Sequence, residues 1–294
     1  MIKRGVYAAG LSVLKEDMSL DTDSTIAHAE KIIKNGLSGV FFFGSTGQSQ
    51  LISISEKKNL ISKLAHNKLK NQFYLGTGNN SFKENLDLIR YGMEYKFDTF
   101  LIMPPAYYKG NTDEGVYSFY KNIIIKEPKV KIILYNFEKL SSFLFGPELV
   151  KKLVSDFPRN IIGVKDSSYN LFENLKIPNF LIFPGSEAKL LKGLELGCAG
   201  CISAVTNVTH SLAKKVFDDF ESKTMQTMNT KLVSVRETFD GYNLISALHS
   251  FMSVEDKKYK KLLPPLVLLS EGKQKELLSK LDALGFLPNK GMAA

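Results

Sequence analysis

The chain alternates between short apolar runs and longer polar stretches in which apolar residues recur at helical spacing. Each run has the length and the β-branched or aromatic content of a strand that is buried on both faces. Eight such runs occur, at residues 5–13, 39–43, 72–75, 99–103, 131–135, 161–164, 180–183 and 200–203. Strands that alternate with helices predict a parallel sheet, and eight is the number of units that closes a (β/α)8, or TIM, barrel.

The stretches between the runs predict helices, which begin at N-cap residues followed by acidic residues. They lie at residues 24–35, 55–70, 81–95, 113–126, 146–156, 188–196 and 211–223, with a short one after Ser168. From about residue 225 the pattern is helical without strong strands. We therefore predict a barrel at 1–224 and a helical region packed on it at 225–294. A doubly wound sheet is the rival architecture, but no G-x-G-x-x-G follows the first strand.

Composition and charge limit the classes of partner. No apolar run is long enough to span a bilayer, so no membrane partner is expected. The two cysteines do not make a disulfide framework and the N-terminus lacks the apolar segment of a signal peptide, which together predict a cytoplasmic location. The net charge of +9 is spread over most predicted helices. This distribution predicts no nucleic-acid partner and favours small anionic substrates.

The cysteines and histidines do not have the spacing of metal ligands. Cys198 and Cys201 form one C-x-x-C without the second pair that a structural zinc site needs, so we expect them to pack as small residues at the start of the eighth strand. His28, His66 and His210 fall on predicted surface helices. We therefore predict no metal and no cofactor.

Candidate chemistry lies just after the strands, because the active site of such a barrel is at their carboxyl ends. Residues 44–47 read Gly-Ser-Thr-Gly, and two hydroxyls between two glycines suit a small carboxylate. A tight turn without a ligand is the alternative. Tyr135 ends the fifth run, where it either moves protons or plugs the barrel as an aromatic side chain.

Lys165 ends the sixth apolar run and is the most informative residue of the sequence. Desolvation at the end of a buried strand favours the neutral amine, which attacks a ketone to form a Schiff base. The alternative is a lysine that extends to solvent or pairs with Asp166. Tyr135, one strand earlier at the same rim, favours the chemical interpretation.

Taken together, the motifs resemble those of the dihydrodipicolinate synthase and N-acetylneuraminate lyase family of class I, pyruvate-dependent aldolases. The resemblance runs from about residue 5 to residue 212. It covers Gly-Ser-Thr-Gly at 44–47, Gly-Thr-Gly at 76–78, Pro-Pro at 104–105 before Tyr-Tyr at 107–108, Tyr-Asn at 135–136, Gly-Val-Lys at 163–165, Gly-Ser at 185–186 and Gly-Cys-Ile-Ser at 200–203.

The resemblance implies a catalytic role for four residues. Lys165 would carry the imine with pyruvate, and Tyr135 would be the phenol that transfers protons. Thr46 would relay protons, and Tyr108 would complete the relay by reaching in from a neighbouring subunit. The family is usually tetrameric, as a dimer of dimers, so a homotetramer is expected.

The resemblance also implies a substrate-binding set. Ser45 and Thr46 would hold the pyruvate carboxylate beside Gly47, and Gly185 and the Ile202 carbonyl would line the pocket. Leu140 stands where synthases of the family usually carry an arginine for the second carboxylate of aspartate semialdehyde. The binding site for pyruvate is thus intact, whereas the site for a second acidic substrate is altered.

The sequence therefore predicts a Schiff-base-forming aldolase or lyase. It would join pyruvate to an aldehyde, or cleave a 2-keto-3-deoxy sugar acid or neuraminate-like substrate to pyruvate. We expect a hydroxylated second substrate, because Leu140 offers a carboxylate no hydrogen bond while Ser141, Ser142, Ser167 and Ser168 suit hydroxyls. The alternatives are a dihydrodipicolinate synthase, a 2-keto-acid dehydratase that uses the same imine, and a non-catalytic barrel that binds a small ligand.

Overall fold

The structure is a computed structural model and describes residues 2–288, in which eight parallel strands form a barrel. The strands are β1 (Gly5–Ala9), β2 (Gly39–Phe42), β3 (Phe73–Gly76), β4 (Thr99–Ile102), β5 (Lys131–Asn136), β6 (Ile161–Asp166), β7 (Leu181–Pro184) and β8 (Gly200–Ser203). Their order is β7-β6-β5-β4-β3-β2-β1-β8. The ring closes between β7 and β8, where Ala199 N donates to Ile182 O over 2.8 Å. The predicted TIM barrel is confirmed.

Helices cover the outside of the barrel. Within residues 2–288 they are α1 (Thr22–Lys34), α2 (Ile54–Ala65), α3 (Phe82–Glu94), α4 (Asp113–Lys126), α5 (Glu138–Ser141), α6 (Pro147–Asp156), α7 (Leu190–Glu195), α8 (Thr206–Glu221), α9 (Asn229–Asp240), α10 (Leu244–Met252) and α11 (Glu271–Ala283). The first two helices start one or two residues earlier than predicted, because their capping residues lie further upstream. Asp21 caps α1, and Ser53 caps α2 in a capping box with Glu56.

The first strand ends at Ala9, although its apolar run continues to Val13. Beyond Gly10 the backbone finds its partners on helices instead of on a neighbouring strand. Leu11 N donates to Asn207 Oδ1 of α8 over 3.3 Å, and Val13 N donates to Thr25 Oγ1 of α1 over 3.0 Å. An apolar run cannot reveal such side-chain partners, so it overestimates the strand.

The short helix predicted after Ser168 is wrong. The chain there forms turns around the buried carboxylate of Asp166. This carboxylate accepts hydrogen bonds from the backbone N–H groups of Tyr169, Leu171 and Phe172, each over 2.9 Å. These three hydrogen bonds from backbone N–H groups to one carboxylate replace the hydrogen bonds that a helix would make.

The inside of the barrel has its own apolar cluster, separate from the larger core between the barrel and its helices. Tyr7, Phe183, Ile202 and Tyr135 belong to this inner cluster. The rings of Tyr7 and Phe183 meet edge to face with their centroids 5.7 Å apart. Because alternate residues of a strand point inward, each strand contributes a side chain to this filling. Tyr135 is therefore held in place by packing within this inner cluster.

The prediction that His28 and His210 lie on the surface is wrong, whereas His66 is exposed. His28 is buried between Asn207, whose Oδ1 lies 2.8 Å from Nε2, and the Tyr259 hydroxyl, which lies 2.9 Å from Nδ1. Burial lowers the pKa of both His28 and His210 from 6.5 to about 4. These two rings are therefore uncharged at neutral pH.

Cys198 and Cys201 are free and buried. Burial raises the pKa of the Cys198 thiol to about 11 and that of Cys201 well above its usual range. Thiols that stay protonated are poor nucleophiles and poor metal ligands. Both residues therefore act as small packing residues around the start of β8.

The C-terminal helices share the outer core with the barrel, since Leu232 and Phe239 of α9 belong to the same apolar cluster as the barrel's outward residues. A buried ion pair adds to this packing. Arg236 Nη1 of α9 lies 3.0 Å from Glu187 Oε2, which follows β7, and Glu187 is completely buried. Glu187 also accepts a hydrogen bond from Thr209 Oγ1 over 2.9 Å and one from Ser203 Oγ. In the described part of the chain, no helix is both long and apolar enough to cross a bilayer.

Candidate active site

The loop after β2 forms the first wall of the site. Ser45–Gly47 is a 3-10 turn, and Ser12 Oγ fixes it by donating to Gly47 O over 2.7 Å. Thr46 and Gly47 are buried, and Ser45 is half-buried. The turn thus holds two hydroxyls at the carboxyl end of the strand, which suits a small carboxylate, whereas the Gly47 N–H already donates to Gly44 O over 3.1 Å.

Tyr135 of β5 reaches this loop from across the barrel mouth. Its hydroxyl lies 3.0 Å from Ser45 Oγ, and its side chain is 4% exposed. The ring rests on the inner cluster of the barrel. A buried phenol that is hydrogen-bonded to a second hydroxyl can pass a proton along that contact. The structure makes this contact with Ser45 and not with Thr46, the next residue of the same turn.

Lys165 of β6 is paired in register with Tyr135 of β5. Its Nζ lies 4.3 Å from the centre of the Tyr135 ring, and the residue is only 3% exposed. Among residues 2–288, Lys165 forms no ion pair. The amine is therefore buried, held against an aromatic face, and free to react with an electrophile.

Asp166 does not neutralise Lys165. One oxygen of its carboxylate accepts from Asn136 Nδ2 over 2.8 Å, and both oxygens accept from the turn described above. Burial raises the pKa of this carboxyl, and these hydrogen bonds work in the opposite direction. The alternative in which Lys165 extends to solvent or pairs with its neighbour is thus not what the structure shows.

Gly185 lies beside the strand end that carries Lys165, because its N–H donates to Asp166 O over 2.8 Å. A Cβ at position 185 would lie 2.1 Å from Ser167 Oγ and 2.8 Å from Ser167 Cα, so only glycine fits. Ile202 of β8 is completely buried in the inner cluster. Neither Gly185 nor Ile202 is among the residues that line the cavity at the barrel mouth.

Tyr107 and Tyr108 lie apart from the other candidate residues. They are 83% and 73% exposed, and their rings meet edge to face at 5.3 Å. The Tyr108 hydroxyl has no hydrogen-bond partner within residues 2–288. Two neighbouring tyrosines with this exposure are unusual on a surface that faces only water.

A cavity of about 610 Å³ opens at the barrel mouth, and Ser45, Thr46 and Tyr135 line its inner end. Elements outside the barrel supply the part we call the outer wall. The outer wall consists of Met103, Ala106, Phe137, Lys139, Leu140, Asn243, Leu244, Ile245, Pro265 and Leu266. Leu140 is 42% exposed and lies on the four-residue helix α5. The predicted position of Leu140 in the site thus agrees with its place in this wall.

The serines expected to hold a hydroxylated substrate are not in the walls of this cavity. Ser141 is buried, and its Oγ is shared between the Phe137 and Phe143 carbonyls. Ser168 Oγ accepts a hydrogen bond from Glu138 N over 2.9 Å. The expectation drawn from these serines is therefore wrong, because local backbone groups already occupy the two hydroxyls.

Sequence reasoning missed the contribution of the C-terminal region to the site. Asn243 caps α10, and Leu244 and Ile245 follow it at the cavity. The cap residue before an apolar run does predict a helix start, but nothing in that pattern places the helix over the barrel mouth. Gln48 was also missed as a lining residue. Its Nε2 is buried and has no hydrogen-bond partner within residues 2–288, so it can donate to a ligand.

Within the described residues, no three or more histidine, cysteine, aspartate or glutamate side chains are grouped so that they could hold a metal ion. The only ionisable side chains that line the cavity there are those of Tyr135 and Lys139. The cavity wall therefore presents hydroxyls, the Lys139 side chain and apolar residues to a ligand. Lys165, whose amine faces the Tyr135 ring, is not itself a lining residue.

Comparison with known proteins agrees with this geometry. The Dihydrodipicolinate synthetase family matches residues 3–284. A 4-hydroxy-tetrahydrodipicolinate synthase of Methanothrix thermoacetophila is 30% identical over 70% of this chain and 70% of that protein. A 2-dehydro-3-deoxy-D-gluconate/2-dehydro-3-deoxy-phosphogluconate aldolase of Picrophilus torridus is 29% identical over 60% of this chain and 66% of that protein. The crystal structure of a dihydrodipicolinate synthase from Agrobacterium tumefaciens is 25% identical, with a TM-score of 0.87 over 96% of this chain and 99% of that one.

The fold and the buried lysine at the barrel mouth thus define a lyase of the class I, pyruvate-dependent aldolase type. The chain belongs to the dihydrodipicolinate synthetase family. The resemblance found in the sequence is confirmed, and so is the predicted enzyme class.

Proposed function

We propose that Lys165 forms a Schiff base with pyruvate, and that Tyr135 and Ser45 move protons while a carbon–carbon bond to an aldehyde forms or breaks. One observation carries the proposal. The Lys165 amine is buried, lacks an ion pair within residues 2–288, and lies 4.3 Å from the ring of Tyr135. The uncharged form of an amine is the one that attacks a carbonyl, and here the amine lies beside the phenol that is proposed to move protons.

The proposed reaction forms and breaks the following bonds. Lys165 Nζ adds to the C2 carbon of pyruvate, and the carbonyl oxygen leaves as water to give an iminium ion. Loss of a proton from C3 gives an enamine, and C3 then attacks the aldehyde carbon. The aldehyde oxygen takes up a proton and becomes a hydroxyl. Water adds back to the iminium carbon and releases the 4-hydroxy-2-oxo acid with the free amine, and the reverse sequence is the cleavage.

Within this scheme Ser45 relays the proton of Tyr135. The family resemblance implies that role for Thr46, but the 3.0 Å contact between the Tyr135 and Ser45 hydroxyls supports Ser45. Thr46 and Gly47 then hold the pyruvate carboxylate with the loop after β2. Gly185 and Ile202 close the far side of the pocket.

We further propose that the enzyme is a homotetramer in which Tyr108 enters the site of a neighbouring subunit. The exposure of Tyr107 and Tyr108 supports an interface at this loop. The cytoplasmic location stays a prediction, and the two free thiols are in keeping with it.

The test is to trap the imine. The enzyme is incubated with pyruvate, reduced with borohydride, digested and mapped by mass spectrometry. We expect one reduced pyruvate per chain, on Lys165. Lys57 is the internal control, because it is equally buried but has no part in the proposed reaction. An adduct on another lysine, or no adduct, refutes the proposal.

A further inference from the structure

We propose that the second substrate is an aldehyde with an apolar body, such as an alkyl or aryl aldehyde, and that the outer wall selects it. This inference rests on the proposed function, because it concerns the partner of the pyruvate enamine. The outer wall is continuous with the catalytic groups, since Tyr135 and Leu140 line one cavity. The occupant of the outer wall is therefore the part of the substrate beyond the reacting aldehyde.

The composition of the outer wall carries the inference. Eight of its ten residues are apolar, and they come from four separate segments of the chain. Phe137, Leu244, Ile245 and Leu266 are each partly buried, so their faces toward the cavity are the ones still uncovered. An apolar group that enters this space removes its own apolar surface and that of the outer wall from water. A hydroxyl or carboxylate that enters instead loses hydrogen bonds with water.

The polar groups of the outer wall do not suit a polyol. Its two polar side chains are Lys139 and Asn243. Asn243 Oδ1 already accepts from Ser246 N and Ser246 Oγ, each over 3.1 Å, because Asn243 caps α10. Of the Asn243 side chain only the Nδ2 donor is left for a substrate, so a chain of several hydroxyls that lies against the outer wall finds few side-chain partners there.

The charges of the wall do not suit a second carboxylate either. No arginine lines the cavity in the described part of the chain, and the position expected for one is Leu140. Lys139 lies on the exposed helix α5, where its ammonium remains hydrated. A hydrated point charge binds a carboxylate less well than the planar fork of an arginine. The volume of about 610 Å³ still accommodates pyruvate with an aldehyde of moderate size.

The first experiment compares aldehydes with pyruvate at saturation. Butanal, 3,4-dihydroxybutanal and aspartate semialdehyde share a four-carbon frame, and benzaldehyde probes a larger apolar body. We expect kcat/KM for butanal and benzaldehyde to be at least about tenfold above that for the two polar aldehydes. A value for either polar aldehyde that equals or exceeds the apolar ones overturns the inference.

The second experiment asks whether the outer wall makes this choice. Leu140→Asn should lower kcat/KM for butanal and benzaldehyde by about tenfold and leave pyruvate trapping on Lys165 unchanged. Leu144→Asn is the matched control, since Leu144 is 40% exposed against 42% for Leu140, but lies outside the cavity. Equal effects of the two substitutions would remove Leu140 from substrate selection and overturn the inference.

The two proposals fail in different ways. If pyruvate leaves no adduct on Lys165, the proposed function falls and this inference falls with it. If the adduct forms and a polar aldehyde is the best substrate, the proposed function stands and only the substrate class is wrong. Should Leu140→Asn unfold, Leu140→Thr with its smaller polar change repeats the comparison.

Discussion

Lys57 and Lys165 are both almost completely buried, at 0% and 3% exposure, but their surroundings differ. Lys57 Nζ donates to Thr77 O over 3.2 Å, Gly78 O over 3.1 Å and Asn79 Oδ1 over 2.9 Å. Lys165 Nζ faces only the ring of Tyr135 among the contacts of the described chain. Three donors matched to three acceptors make Lys57 a fixed brace of the loop after β3. Burial alone therefore does not distinguish the two lysines, whereas their hydrogen-bond partners do.

The electrostatics add to this contrast. Burial lowers the pKa of Lys57 to about 8, even though nearby Glu84 raises it. A lowered pKa is often taken as a sign of a catalytic amine. In Lys57 the three donors of the amine are nevertheless all used in hydrogen bonds to the loop after β3. The hydrogen bonds of Lys57 thus assign it to the structure of the loop and not to the proposed chemistry.

Replacing the two lysines gives the largest expected effect. Lys165→Met should lower kcat by about 10⁴-fold or more, because it removes the nucleophile, while the apolar replacement keeps the barrel folded. Lys57→Met should still form the pyruvate adduct. Steady-state rates and borohydride trapping measure both variants. A Lys57→Met protein that folds but does not trap pyruvate would contradict the distinction drawn between the two residues.

The next effect concerns the group that Lys165 faces. Tyr135→Phe keeps the ring against Lys165 Nζ and removes only the hydroxyl that contacts Ser45. We expect a loss of about 10²–10⁴-fold in rate with the melting temperature nearly unchanged. Ser45→Ala should also lower the rate. Thr46→Val is the comparison variant, because it tests whether Thr46 rather than Ser45 relays the proton. A Tyr135→Phe enzyme within a few-fold of the wild type would show that the phenol only fills space.

Most of the site near the strands could be predicted from the sequence. Apolar runs mark strands, parallel strands end at one rim, and that rim brings Lys165, Tyr135 and the loop at 44–47 together. The outer wall could not be predicted, because Leu244 and Ile245 reach the barrel mouth through packing over long sequence separations. The same limit explains the wrong placement of His28, whose partner Asn207 is 179 positions away.

Three buried histidines make the stability of the fold depend on pH. Burial lowers the pKa of His28, His210 and His249 from 6.5 to about 4. A folded-state pKa below the unfolded value means that the unfolded chain binds more protons as the pH falls. The contribution of these histidines to the free energy of unfolding is therefore complete above pH 6.5 and is lost as the pH falls toward 4. Each contributes about 3 kcal/mol on this reasoning.

Urea unfolding between pH 7 and pH 4 measures this loss of stability. We expect the midpoint to fall steeply below pH 6.5. His66→Gln should follow the wild-type curve, because His66 is exposed. A midpoint that stays constant from pH 7 to pH 5 would show that these rings accept protons inside the fold.

The smallest effect is on the stability of the Lys57 brace. Lys57→Met leaves the carbonyls of Thr77 and Gly78 without their buried donor, at a cost of about 1–3 kcal/mol in the free energy of unfolding. Lys70→Met, on a half-buried lysine in the turn before β3, is the control. Chemical denaturation at pH 7 compares the two. An unchanged unfolding free energy for Lys57→Met would mean that its hydrogen bonds contribute no net stability.

The ion pair between Glu187 and Arg236 limits how this chain can be shortened or recombined. Glu187 follows β7 and is fully buried, whereas its countercharge belongs to α9, 49 positions further along the chain. A fragment that stops before α9 would retain a carboxylate in an apolar interior with only hydroxyl partners. The free energy of unfolding would then fall by about 3–5 kcal/mol. A chimaera that takes its C-terminal helices from a relative must therefore bring a cation to position 236 or replace position 187 as well. For this chain, the unit of exchange between relatives is the barrel together with α9.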